Sequence, residues 1–160
     1  MKIFKIIFIG LILHGWAATS SAAPMTLSDT ITFTDIAAID ANDGSNDLDS
    51  HGWGTVNKLD PFIDWLTWTH DFTFAPAYDI LHDATLTVSI RDDSNSRLDF
   101  WEFAFGYAED GTWDFGEVNT GAYSYDVDVS FLTDGEFSIK LVSLLGDFYV
   151  DQSVLSINYE

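Results

Sequence analysis

The 160-residue chain has no cysteine, so it can form no disulfide framework, thiol nucleophile or thiolate metal site. Positive charge is nearly as scarce, with six Lys and Arg against 26 Asp and Glu and a formal net charge of −20. So acidic a surface disfavours nucleic acid and anionic membranes as partners, because both carry the same sign of charge. Long apolar runs are confined to the first residues, and no later segment is long and apolar enough for a transmembrane helix. Few histidines are present, and none lies in a recognisable nucleophile motif. What the chain does have is hydrophobic and aromatic material, 47% and 16% of its residues, which is ample for a packed core despite the charge.

The start of the chain reads as a secretory signal peptide over residues 1–22. A short basic segment, MKIFK, precedes the apolar IIFIGLILHGWAA and the small residues TSSAAP. Ser20 and Ala22 satisfy the small-x-small rule, which places cleavage after Ala22 and a single domain over 23–160. Loss of Lys2 and Lys5 leaves four basic residues against 26 acidic ones, a net charge of −22. The expected location is therefore secreted or periplasmic.

Beyond the leader, short runs rich in Thr, Val, Ile, Phe and Tyr alternate with Asp, Gly, Asn and Ser, and no stretch holds a helical period. The expected strands are TITFTDI, DWLTWTHDFTF, ATLTVSIRD, FWEFAFGYA, TWDFGEV, YSYDVDVSF, EFSIKLVS and FYVDQSVLSINY. Eight strands at hairpin spacing predict an all-β fold, an antiparallel β-sandwich or jelly roll. Residues 37–61 stand apart as a long loop, and loops of that length are often functional.

Two Asp-Gly turns allow register to be read. For LTDGEF, a three-residue loop from Thr133 to Gly135 aligns Phe131 with Phe137, Val129 with Ile139 and Val127 with Leu141, with Asp128 opposite Lys140 and Gly135 left-handed. For AEDGTW, the same loop of Glu109, Asp110 and Gly111 sets Phe105 opposite Phe115 and Tyr107 opposite Trp113, and those aromatics are expected to join the core. A two-residue loop would instead set Trp113 and Phe115 beside Ala108 and Gly106, as a shallow strip suited to stacking on sugar rings and flanked by Glu102 and Glu117. The apolar pattern and the sister hairpin favour packing.

Calcium is the expected cofactor, because it takes six to eight oxygen ligands from acidic loops. One candidate loop is DANDGSNDLDSHGWG, with Asp40, Asp43, Asp47 and Asp49, though it departs from the EF-hand template at the first ligand position. The other is RDDSNSRLD, with Asp92, Asp93 and Asp99, where Arg91 and Arg97 compete for the same carboxylates. Catalysis has less to stand on. His51, His70 and His82 lack tight metal-ligand spacing, and Glu102 with Glu117 is the nearest pair that could serve glycoside hydrolysis.

The stretches WLTWTHDFTF, ATLTVSIRDD, FGYAEDGTWDFGEVNTG and DGEFSIKLVSLLGDFYVDQSVLSINYE together resemble the secreted β-sandwich ectodomains of PEP-CTERM proteins from Gram-negative, exopolysaccharide-producing bacteria. The resemblance covers residues 65–160 and implies a non-enzymatic role in the envelope, biofilm or extracellular matrix. The chain stops at INYE without a Pro-Glu-Pro motif, an apolar anchor or a terminal basic cluster, so it is expected either to be released or to have lost its anchor. The leading expectation is an exported, calcium-stabilised β-sandwich whose partners are polysaccharide or matrix components. A carbohydrate-binding module, with Trp53, Trp113 and Phe115 as stacking residues, is the alternative, and a secreted polysaccharide hydrolase ranks third. The sequence leaves oligomeric state open.

Overall fold

The computed structural model describes residues 23–34, 49–51, 55–62, 64–92 and 102–160. Their strands are β1 (Met25–Thr32), β2 (Asp49–His51), β3 (Lys58–Leu59), β4 (Trp65–Asp71), β5 (Leu81–Asp92), β6 (Phe103–Ala108), β7 (Trp113–Glu117), β8 (Gly121–Val127), β9 (Glu136–Leu145) and β10 (Phe148–Tyr159). One sheet runs in the order β1-β10-β5-β8, with β3 also on β10; the second runs β2-β4-β9-β6-β7. Every pairing is antiparallel, and the fold is an all-β sandwich as the alternation predicts. No helix of the described residues is long and apolar enough to cross a membrane.

Side-chain alternation decides which residues face inward. In β5 the inward set is Ala84, Leu86, Val88 and Ile90; in β9 it is Phe137, Ile139, Leu141 and Ser143, all buried. Strand β10 needs a correction in phase, since its apolar residues fall at 148 and 150 and then at 155, 157 and 159. A register shift between Val150 and Gln152 supplies it, so that Ser153, Leu155, Ile157 and Tyr159 all return to the core. The displaced Asp151 stays outside and takes a bidentate bond from Arg91, at 3.2 Å to each oxygen. Opposite β10, Trp68 is fully buried and meets Phe33 edge to face with ring centroids 5.3 Å apart.

The long excursion expected over 37–61 contains the short strands β2 and β3. The second expected hairpin does not form. β8 belongs to the first sheet and pairs with β5, whereas β9 belongs to the second and pairs with β4 and β6. Between them, the Asp128 carboxylate accepts from the Ser130 N–H at 3.0 Å and caps a 3₁₀ turn over Val129–Leu132. That turn buries Leu132 completely, leaves Phe131 at the surface and carries the chain from one sheet to the other. Gly135 is left-handed as expected, at φ +87°, but for a different reason: its carbonyl accepts from the Phe72 N–H at 2.8 Å, and a Cβ there would stand 2.8 Å from the Phe72 carbonyl oxygen.

Candidate functional site

The first Asp-Gly turn gives the register the sequence predicts. Phe105 pairs with Phe115 and Tyr107 with Trp113, across a loop in which Gly111 has φ +84° and the Asp110 carboxylate accepts from the Thr112 N–H at 2.9 Å. The expected burial is wrong, because register fixes which residues share a face but leaves open which face turns inward. Inward positions on β6 go to Ala104, Gly106 and Ala108, matched on β9 by Ser143, Leu141 and Ile139. The aromatics therefore stand outside: Trp113 is 68% exposed, Phe115 53% and Tyr107 47%. Phe103 and Phe105, half-buried, complete the same outer face.

These rings touch one another and form a continuous strip. Phe103 stacks on Phe115 at 5.7 Å between centroids, and Phe105 lies 6.2 Å from both Tyr107 and Trp113. The strip continues across the sheet, since Tyr107 pairs with Lys140, Phe105 with Val142, and Val142 in turn with Trp65. Lys140 does not meet Asp128; its ammonium lies 4.4 Å from the Trp65 ring centroid. Such a surface offers flat apolar faces, with a charged donor beside them, to a ligand that presents C–H groups on one side and hydroxyls around its rim.

Behind the strip the sandwich is hollow. Because β6 and β7 turn Ala104, Gly106 and Gly116 inward, a cleft of about 90 Å3 remains between them and Leu86, Val88, Tyr123 and Tyr125 of the facing sheet. The Tyr125 hydroxyl spans the gap and donates to Asp114 Oδ2 at 2.9 Å. Burial, and then the Asp114 carboxylate, push the Tyr125 pKa well above the usual phenol range, so the proton stays on the tyrosine.

The other polar cluster has a fully buried centre, His70 and Ser153, with Asp29 partly exposed at its edge. His70 on β4 has Nδ1 2.6 Å from Asp29 Oδ2 on β1 and Nε2 2.8 Å from Ser153 Oγ on β10. The carboxylate can only accept, so Nδ1–H donates to it and the serine hydroxyl donates to Nε2. Burial lowers the His70 pKa, while the hydrogen bond and charge of Asp29 and the charge of Asp71 pull the other way. Although the connectivity is that of an acid–base–nucleophile relay, Ser153 and His70 are both 0% exposed and no substrate reaches the hydroxyl. The cluster bridges the two sheets. Neither Asp29 nor Ser153 is singled out by a motif; the available signal was a polar residue on an inward, otherwise apolar alternation, between Leu27 and Ile31 for Asp29 and between Val150 and Leu155 for Ser153.

The remaining candidates do not assemble. Glu102, just before β6, is buried and Glu117 on β7 is exposed, so they do not flank a common cleft as a hydrolytic pair. His82 is exposed, with Nε2 3.7 Å from Glu160. Asp92 ends β5, where its N–H donates to Thr120 Oγ1 at 3.0 Å. For Asp49 and His51 only the strand position in β2 is described. Asp40, Asp43, Asp47, Asp93, Asp99 and Trp53 lie outside the described residues, and among the described residues no group of three His, Asp or Glu is placed to hold a metal.

No protein-family model matches the chain, and no curated protein does. Among solved structures it is similar to a family two carbohydrate esterase from Cellvibrio japonicus, at 9% identity and TM-score 0.47, over 85% of this chain and 35% of that one. It is also similar to the CBM35 of Cellvibrio japonicus Abf62, at 16% identity and TM-score 0.40, over 84% of this chain and 92% of that one. A third is the Podospora anserina GH26-CBM35 β-(1,4)-mannanase, at 13% identity and TM-score 0.38, over 82% and 27%. The chain thus spans about a third of the esterase. At these scores the likenesses carry nothing about function.

Proposed function

We propose that this protein is a non-enzymatic carbohydrate-binding β-sandwich, exported to the envelope or extracellular matrix, which grips a polysaccharide on the outer face of the β6–β7 hairpin. One observation carries the reading: Phe103, Phe105, Tyr107, Trp113 and Phe115 share that face while Ala104, Gly106 and Ala108 fill the inward positions. A hairpin serving the core alone would place its rings inside, where each stabilises the fold by about 1.5–3 kcal/mol or more. Contiguous exposed aromatics mark an interaction surface. A sugar ring suits this one, because its C–H face stacks on an indole or phenyl ring and its hydroxyls find Lys140 and Glu117 on the same face. Calcium is proposed as a stabilising cofactor of the acidic loops, on the strength of the excess of carboxylates alone.

The test is affinity electrophoresis through gels that contain soluble polysaccharides. Wild-type protein is expected to be retarded by at least one neutral polymer, and Trp113→Ala and Phe115→Ala to run freely while still unfolding cooperatively in urea, with a stability loss of no more than about 2 kcal/mol. Retardation that survives both substitutions would refute the face as the binding site.

A further inference from the structure

β7 is the last strand of its sheet, and among the described residues nothing pairs with its far edge. Within the hairpin the Ala108 N–H donates to the Thr112 carbonyl at 2.9 Å, and the Val118 N–H to the Glu102 carbonyl at 2.8 Å. Antiparallel pairs alternate between bonded and non-bonded, so Asp114 and Gly116 aim their backbone groups at β6, whereas Trp113, Phe115 and Glu117 aim theirs out of the sheet. Three N–H and three C=O groups therefore stand ready for another strand. The register of β7 is unbroken and its five residues include no proline or lysine, so the usual backbone obstacles to strand addition are missing.

Two further features select the strand that fits. The cleft opens at this edge: its lining includes Asp114 and Gly116, Asp114 is exposed although it shares the inward phase of Gly116, and a Cβ at Gly116 would meet nothing within 4 Å. An added strand would set one residue opposite Gly116 in a non-bonded pair, the closer kind, with its side chain across the glycine and over the opening. An aliphatic residue suits that place. The second feature is charge, since the described residues that line the cleft include Asp110, Asp114, Glu117 and Asp126 and no lysine or arginine. An inward carboxylate guards an edge against apolar strands, and a second copy of this chain would bring the same acids and a net charge of −20. A basic strand meets neither obstacle.

We propose that the β7 edge binds an extended segment of a protein partner by antiparallel strand addition, with cations opposite Asp114 and Glu117 and an aliphatic residue opposite Gly116. This site is separate from the carbohydrate-binding reading, because it uses the backbone edge and the cleft instead of the ring faces.

The probe is the acetylated, amidated peptide Thr-Lys-Leu-Val-Arg-Tyr-Thr, whose five central residues fall opposite Glu117, Gly116, Phe115, Asp114 and Trp113 in that order. On binding, the amides of Trp113, Phe115 and Glu117 should gain protection from hydrogen exchange, and those of Asp114 and Gly116, already bonded to β6, should change little. N-methylation of the peptide valine, whose N–H faces β7, should abolish binding; N-methylation of the leucine, whose N–H faces away, should not. These two isomers carry the same charge, so general attraction to an acidic protein cannot separate them. Glutamate in place of the peptide's lysine and arginine should abolish binding. Gly116→Val, which fills open space and should remain folded, is expected to bind about tenfold more weakly, as an aliphatic side chain loses its cover. Equal affinity for the two N-methyl isomers, undiminished binding by Gly116→Val, or no binding of the unmodified peptide at millimolar concentration overturns the proposal. Protection of the same three amides that rises with protein concentration and no peptide would assign the edge to a second copy and overturn it as well.

Discussion

The inter-sheet bridge of Asp29, His70 and Ser153 makes a quantitative prediction. His70→Leu removes two hydrogen bonds and leaves both partners behind. Ser153 is wholly buried, so its abandoned hydroxyl should cost about 1–2 kcal/mol; the Asp29 side chain is 27% exposed and can recover some water, so the loss there should be about 1–2 kcal/mol as well. The total, about 3 kcal/mol, is a large share of the stability of an ordinary domain. Ser153→Ala leaves only the imidazole acceptor unpaired and should cost about 1 kcal/mol. In the double variant the serine penalty disappears with the serine, so the combined loss should fall short of the sum by at least about 1 kcal/mol. Urea unfolding at pH 8 measures all three. The wild-type curve should also carry a pH signature. Folded His70, its pKa lowered by burial, stays neutral where the unfolded imidazole takes up a proton near its ordinary 6.5. Its contribution is thus present in full above that pH and is lost as the pH falls through the window down to the folded value. His70→Leu should lose that component of the slope. Strict additivity of the two substitutions, together with parallel stability–pH curves for wild type and His70→Leu, would refute the bridge as an energetic unit.

Two further outcomes are expected. Trp113→Ala should cost no more than about 2 kcal/mol, since about a third of a side chain that can bury roughly 250 Å2 is covered, at about 25 cal/mol per Å2; Trp68→Ala should cost about 3–5 kcal/mol, and equal losses in urea unfolding would contradict the assignment of faces. Calcium should raise the melting temperature beyond sodium chloride at matched ionic strength, by the equivalent of about 2.7 kcal/mol at one hundred times its Kd, with Asp43→Asn and Asp47→Asn or Asp92→Asn and Asp99→Asn removing the gain; no difference between the two salts would eliminate the proposed cofactor.

Much of the architecture is written in short-range patterns. Alternation in β5 and β9 identifies both strands and their inward faces, and the phase change between Val150 and Leu155 is visible in the letters of β10. The Glu109-Asp110-Gly111 turn fixes its register because the chemistry of a left-handed glycine is local. Its companion at Asp134-Gly135 shows the limit of such reasoning. The same dipeptide can close a hairpin or follow a 3₁₀ turn that changes sheets, and the choice depends on what β8 and β9 pair with, strands β5, β4 and β6 far away in the sequence. The inward or outward sense of the β6–β7 hairpin is hidden for a related reason. Both of its faces had residues suited to a core, rings on one side and Ala and Gly on the other, and local alternation does not choose between them. The partners of His70 lie 41 and 83 residues away, beyond any motif.

Turning the rings of one hairpin outward also separates two demands that most binding proteins must meet with the same residues. Leu66, Phe137 and Leu155, fully buried and outside the cleft lining, hold the sheets together away from the hairpin. The five surface aromatics owe the core little, and the small residues behind them demand little. If that face binds the ligand proposed for it, selection can rewrite it position by position at little expense to folding. A library randomised at Phe103, Phe105, Tyr107, Trp113 and Phe115 should yield mostly folded proteins with altered binding, which makes this sandwich a scaffold open to new specificities.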